Sequence, residues 1–549
     1  MAVAKNGGAT AATHVNMMTD TIIANLPADG LRVVMRSLLA SCPEVTGTFE
    51  HETRRFLRHA AATSVRTKID TVDMDGLKQA QQIVRCMLGS GVPFQSIPLL
   101  KDMVVRGADL ALEPSVGSEL ESFLPSVDSD IVQAMTAVKK TLFTNTGVRV
   151  MSTTEYALIE TLFESLIRCQ GILQSTGREY PYGRGLVTTA STLGVPQPAA
   201  QDAVSFGRAL QQPFPHTAKE TFVLGDRILP RIFSGLWQMS SAAWGSAPTS
   251  KIFEQFSTHV QTGFTAFDMA DHYGDAEVIF GRFWSLYPHK DAIFTATKYC
   301  IFHHVDITRE AVQADVSERC QRLQQDKIDL LQFHWQFWDD PGYLDALRYL
   351  QEDRRVGMIG LCNFNTQHLL RAIESGVHVH TNQVQFSLID SRPVEKMGEA
   401  CKRHGVKLLT YGTLCGGFLA EKWLNKPEPD VYSASITPSQ RKYHGIISNW
   451  GGWELFQRLL RTLDGIAKKR DVTISNVATR WVLDFPYVGA VIIGARMGVS
   501  EHTSDNQATF GWSLDDQDRA AIEEVLEKSN RKEVFKTMGD CGGEYRTIG

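Results

Sequence analysis

A carboxylate, a phenol, an ammonium and an imidazole follow one another as Asp268, Tyr273, Lys298 and His334, in the segments FDMADHYGDAE, FTATKYC and LLQFHWQ. A free tyrosine, with a pKa of about 10, donates its proton poorly at neutral pH. A neighbouring ammonium stabilises the phenolate and lowers that pKa, and a carboxylate holds the ammonium in place. Tyr273, Lys298 and Asp268 can do this if they converge. A neutral His334 can orient a carbonyl oxygen as a donor. Together the four would polarise a C=O and protonate its oxygen while a nucleophile arrives at carbon. No serine or cysteine nucleophile and no metal site is evident, so a hydride from a nicotinamide is the natural attacker. Each residue alone has a plainer reading. A tyrosine after a strand is a rim residue, and an Asp–Lys pair is a structural ion pair. Their order at successive strand ends is what sets the group apart.

Strands must position them. From about residue 221 short apolar runs alternate with helical segments. The runs are RIFSGLW, TAFDMA, AIFTATKY, IDLLQFHW, GMIGLC, TNQVQF, KLLTYG and GAVIIG. Asp268, Lys298 and His334 each end one of them, and Tyr273 lies in the loop just after the first of those three. Eight strands with helical crossovers predict an α/β domain, a (β/α)8 TIM barrel over 221–549, with the four residues at its mouth. The competing open doubly wound sheet usually carries GxGxxG after its first strand, and no such segment occurs. The stretch from CGGFLAEKW to SNWGGW is too long for a turn and reads as a functional loop over the mouth.

The first part of the chain differs. Residues 20–174 predict an all-α helical N-terminal domain with one core. In PADGLRVVMRSLLASC, Leu31, Val34, Met35 and Leu38 share a face. In TTEYALIETLFESLIRCQGIL, apolar pairs recur every four residues, with Thr153 or Thr154 as the expected N-cap. Residues 175–220 lose periodicity and read as a surface linker. Residues 1–19 read as a disordered leader.

With 549 residues, two or more domains are expected. A net charge of −5 gives no reason to expect nucleic acid or an anionic membrane as partner. The nine cysteines are scattered, without a CxxC pair or zinc spacing, and read as reduced thiols of a cytoplasmic protein. No apolar run reaches the length of a membrane span, and the N-terminus lacks the pattern of a secretory signal.

The segment from about 221 to 530 resembles the aldo-keto reductase family. DMADHYGDAE resembles its Asp-x4-Tyr-Gly segment, TATK its lysine strand and LLQFHW its histidine strand. IGLCNFN, TNQVQFSL and VIIGAR…DN are similar to its cofactor segments, in the family's order. The resemblance implies an NADPH-dependent reductase of an aldehyde or ketone, with NADH the less favoured cofactor, Tyr273 as general acid and catalytic support from Asp268, Lys298 and His334. It implies that Asn363 and Gln383 hold the nicotinamide carboxamide and that Tyr411 stacks on the ring. Trp237, Asp268, Cys362, Gly412 and Leu414 fall in the same cofactor segments. Gly494, Ala495, Arg496, His502, Asp505 and Asn506 match the segment that binds adenosine and its 2′-phosphate. Without the resemblance, Asn363 and Gln383 read as ordinary strand-end polar residues and Arg496 as a solvated charge. Cys362 stands where many members have Ser, and His502 where the best-known ones have Arg, which makes NADPH preference less secure than nicotinamide binding. Trp244, Trp335, Phe337 and Trp338, with Trp237, lie on loops expected to rim the mouth. They read either as the lining of a pocket for an apolar carbonyl compound or as core under the loops. The resemblance does not extend to residues 1–220. A second expectation is therefore a nicotinamide-sensing regulatory or scaffold protein that binds a partner, or a second copy of itself, through residues 20–174.

Overall fold

The computed structural model describes residues 22, 26–63, 74–112, 118–144, 147–196, 216–240 and 244–546. The expected leader over 1–19 lies outside the described residues. The eight strands are β1 (Ile232–Gly235), β2 (Ala266–Asp268), β3 (Phe294–Ile301), β4 (Ile328–Trp335), β5 (Val356–Cys362), β6 (Val379–Gln385), β7 (Lys407–Tyr411) and β8 (Val488–Gly494). They form one closed parallel barrel in sequence order, and β8 pairs with β1 to close it. Strands buried on both faces read as near-continuous apolar runs, which is why all eight were legible as such. Phe233, Phe294, Ala296, Leu330 and Leu409 fill the interior, while Leu331, Phe333 and Leu361 face the surrounding helices. A hairpin of Thr221–Leu224 and Arg227–Pro230 adds Leu224 and Leu229 to the inner cluster. Arg227 of this hairpin bonds Asp329 and the Ile293 carbonyl, near the starts of β4 and β3, so the hairpin covers the N-terminal end of the barrel. The C-terminal end is left as the mouth.

The N-terminal part is helical, with α1 (Ala28–Ser41), α2 (Thr46–Thr63), α3 (Met74–Gly89), α4 (Pro93–Ala111), α5 (Ser118–Leu142) and α6 (Thr153–Ser175). Helices α3 to α6 share one apolar core, to which α6 gives Ile159, Leu162, Leu166, Cys169 and Leu173. Three expectations need correcting. The N-cap of α6 is Ser152, which exchanges hydrogen bonds with Glu155 in a capping box, rather than Thr153 or Thr154. The apolar face of α1 does not enter the core: no residue of that helix is buried, and Val34 and Leu38 are about half exposed. The stretch 175–220 is not linker throughout, because α7 (Gly183–Leu193) is a helix whose residues from Arg184 to Ala190 are buried. Its sequence, GRGLVTTASTL, is rich in poor helix formers, so burial rather than propensity must stabilise it.

The helices α8 (Thr249–Gln261), α9 (Ala276–Leu286) and α10 (Arg309–Leu323) follow β1, β2 and β3. The side chains of α5 and α7 meet the barrel near α9 and α10, where burial pushes Lys139 down to about 8 beside Arg322 and Glu318. The stretch expected as a loop over the mouth is irregular apart from short turns up to Thr437 and helical after it. A capping box at Thr437 starts Pro438–Trp450, and Gly452–Arg470 follows it.

Candidate functional site

The register of the barrel brings the four residues together. Asp268 ends β2 opposite Ala296, two residues before Lys298 on β3, and His334 on β4 stands opposite Cys300. Lys298 Nζ donates to Asp268 at 2.7 Å and to the Met269 carbonyl at 2.8 Å. It also lies 4.7 Å from the centroid of the Tyr273 ring. Asp268 accepts on its other oxygen from Gln332 at 2.8 Å and from Gln383 at 2.7 Å. Burial works most strongly against the Lys298 ammonium, but the charge and hydrogen bond of Asp268 together with Tyr273 and Cys362 outweigh it, so the pKa stands above the usual range. Burial, with Arg546 next in effect, pushes His334 down to about 3 and keeps it neutral, and its buried Nε2 has no partner among the described residues.

Tyr273 departs from expectation. Lys298 acts to lower its pKa, but burial outweighs that and raises it above the free phenol's value. The phenol is therefore held protonated, with the ammonium in place for the charge that proton loss would create.

The segments matched to cofactor binding lie along the mouth. Gly494, Ala495, His502 and Asn506 line one cavity with Ser234 and His259. Ser234 and His259 share a 2.8 Å hydrogen bond. Asp505 is tied to Thr473 at 3.3 Å. Arg496, which is exposed, lines a second cleft with Gln238 and Trp244, and Ser129, Gln133 and Arg184 of the helical part form its other side. Trp237 packs against Trp244 with centroids 5.2 Å apart. Gly412 adopts φ 73° against the Tyr443 hydroxyl, which leaves no room for a Cβ, and Leu414 packs beside it against the core.

The end of the mouth at Asn363 and Tyr411 holds a feature absent from the sequence reading. The segment Asp540–Arg546 crosses the mouth. Glu544 pairs with Arg392 through two bonds of 2.7 and 2.8 Å, and Asp540 accepts from the Thr366 amide at 2.8 Å. The Tyr545 hydroxyl meets that of Tyr411 at 3.0 Å, while Tyr411 donates to Asn363 Oδ1 at 2.9 Å. Arg546 donates to the carbonyls of Trp335 and Asn363 and stacks 3.8 Å from the centroid of Trp338. Burial holds its pKa down at about 10. Gln383 turns its amide to Asp268 and Gln332 rather than to the mouth. Cys362 is buried, with its thiol pushed up to about 12 by burial.

Of the rim aromatics, Trp335 is wholly buried and donates to the Phe337 carbonyl at 2.5 Å, and Phe337 is buried with it. Both are core, the second of the two readings, because β4 runs on into its own turn. Trp338 stacks on His368 and carries Arg546. Gln332, two residues before His334 on the same strand face, escaped notice although the period of two puts it inward. Asp271, His272 and Cys300 place one ligand atom each within 4.8 Å of one another, but Asp271 already bonds His272, the Cys300 amide and Arg319.

Comparison with known proteins agrees with the barrel. The model of the aldo/keto reductase family matches residues 231–527. "Aldo-keto reductase YhdN" of Bacillus subtilis is 26% identical over 317 residues, 54% of this chain and 90% of the relative. "Flagellar radial spoke protein 5" of Chlamydomonas reinhardtii is 32% identical over 188 residues, 29% of this chain and 35% of that one. The glycerol dehydrogenase structure from Gluconobacter oxydans, 24% identical, covers 57% of this chain and 97% of its own with a TM-score of 0.50, which supports the fold.

Proposed function

The chain belongs to the aldo/keto reductase family, and from that premise we propose that it is a carbonyl reductase that converts an aldehyde or ketone to an alcohol, with NADPH as cofactor. The observation that carries the reading is the buried, unpartnered Nε2 of His334 at the mouth that also holds Tyr273. A neutral imidazole there donates to a carbonyl oxygen and orients it. Tyr273 gives that oxygen its proton. Lys298 then stabilises the phenolate, and Asp268, gripped by Gln332 and Gln383, keeps the ammonium from swinging away. Burial of all four excludes water and strengthens each electrostatic contact. A nicotinamide bound at Asn363 and Tyr411 would supply the hydride. The adenosine end would lie against Gly494, His502 and Asn506, and the exposed Arg496 suits a dianionic 2′-phosphate by charge and fork geometry.

The reading has one structural requirement. Tyr545 and Arg546 hold Tyr411 and Asn363, so the segment Asp540–Arg546 must draw back when the nicotinamide end is occupied. Arg546→Ala should then tighten nicotinamide binding several-fold, read as the quench of tryptophan fluorescence, because a larger fraction of the protein is competent to bind.

A second reading, a nicotinamide-sensing scaffold, is favoured by the exposed Val34, Met35 and Leu38 of α1. The radial spoke name of one relative is in line with it. Oxidation of NADPH and NADH against a panel of aldehydes, ketones and quinones, with the alcohol identified by mass, separates the two. Turnover with NADPH preferred supports the reductase. Cofactor binding without turnover on any carbonyl supports the scaffold.

A further inference from the structure

The helical part reaches the loop that carries Tyr273 through Arg184. Arg184, in the first turn of α7, donates from Nε and Nη2 to the two carboxylate oxygens of Asp275, at 2.8 and 2.6 Å. Both side chains are buried, at 6% and 3% exposure. A third bond, 3.3 Å to the Ser129 hydroxyl, ties the guanidinium back to α5. Asp128 lies beside it and accepts from the Gly185 amide at 2.7 Å, and burial pushes this acid up to about 7. Asp275 is thus the carboxylate to which Arg184 is bound directly. Asp275 does not cap α9, the helix it precedes, with its side chain.

Asp275 lies two residues after Tyr273. Between them Gly274 turns at φ 62° and its carbonyl accepts from Arg322 at 3.0 Å. The Ala276 amide closes back onto the Tyr273 carbonyl at 3.1 Å. Two residues of chain span at most about 7 Å, so a shift of Asp275 is passed to Tyr273 with little slack. The barrel holds this loop from one side through Arg322 and through Asp271, which accepts from the Cys300 amide at 3.0 Å. The other side is held from outside the barrel.

We propose that Arg184 is a positioning residue for Tyr273: the helical part works as a clamp on the loop that carries the proton donor, through the Arg184–Asp275 pair. This rests on the reductase reading for its effect on rate, but not for the clamp itself. A fork of two parallel bonds fixes direction as well as distance, which a lysine in its place cannot do. Misplacing a reacting group by about 1 Å costs about 10²-fold in rate.

The test uses the full chain with Arg184→Lys and Arg184→Gln. Hydrogen exchange of the backbone over residues 270–286 reads the clamp, NADPH titration reads the cofactor site, and kcat and KM on the best carbonyl of the panel read the chemistry. The clamp predicts faster exchange confined to 270–286 and kcat lower by about 10²-fold in Arg184→Gln. It also predicts a smaller loss in Arg184→Lys, and a KM for the carbonyl at saturating NADPH within about threefold of the parent protein. Exchange over 270–286 unchanged in both variants, or raised evenly across the barrel, overturns the proposal. If Arg184→Gln fails to fold, the exchange pattern of Arg184→Lys decides in the same way. If the parent protein turns over no carbonyl, the reductase reading fails, and the exchange arm still judges the clamp.

Discussion

The two parts of this chain place their charged groups in opposite ways. In the barrel, Asp268, Lys298, Gln332 and Gln383 are buried and bonded to one another beneath the mouth, beside the buried His334. In the helical part, the core of α3 to α6 is apolar, and the buried charges, Asp128, Asp130 and Arg184, lie at its edge. On the proposed reading, one part spends its buried polarity on chemistry, and the other on attachment. A helical part with no such cluster among its described residues can still bear on a reaction if a buried cation, Arg184, is fastened to the loop that carries Tyr273.

The largest expected effect tests whether the helical part has a true core. Leu162→Ala empties a fully buried position in α6 and should lower stability by about 2–5 kcal/mol in urea unfolding. A loss under about 0.5 kcal/mol would mean that this part is not packed as described.

Next in size is the pH dependence of the junction. Asp128, pushed up to about 7, binds its proton more tightly folded than unfolded. Its contribution therefore falls as pH rises from about 4, the unfolded value, to about 7, by an upper bound of about 4 kcal/mol. Asp128→Asn cannot ionise, so the parent protein should lose stability relative to this variant across that window. Parallel curves would remove Asp128 from the account.

Arg496→Ala tests the mouth rather than the junction. Loss of a charge-assisted contact of about 1.5–3 kcal/mol should weaken NADPH binding by about 10- to 100-fold and leave NADH nearly unchanged. Equal loss for both cofactors would contradict a role for Arg496 at the 2′-phosphate. The smallest effect belongs to α1, where Leu38→Asp on the exposed face should alter stability by less than about 0.5 kcal/mol.

The sequence made the barrel legible because strands buried on both faces announce themselves, and because Asp268, Lys298 and His334 end such runs. Contacts between distant segments carried no such signal. Arg184 and Asp275 are 91 positions apart, and Arg546 and Trp335 are 211 apart, with no periodicity to join them. Helix α7 was hidden by its glycines and threonines, since its stability comes from burial. The apolar face of α1 was legible as amphipathic, but the pattern does not say whether the chain itself covers that face. The effect of Lys298 on Tyr273 had the right sign, and its defeat by burial could be known only from the packing.

The central claim is that Tyr273 is the proton donor of a carbonyl reduction. Tyr273→Phe removes the hydroxyl and keeps the ring that faces Lys298. The account predicts that kcat on the best carbonyl of the panel falls by about 10²- to 10⁴-fold while NADPH affinity stays within about threefold. Turnover at the level of the parent protein, with the cofactor bound equally well, would contradict it.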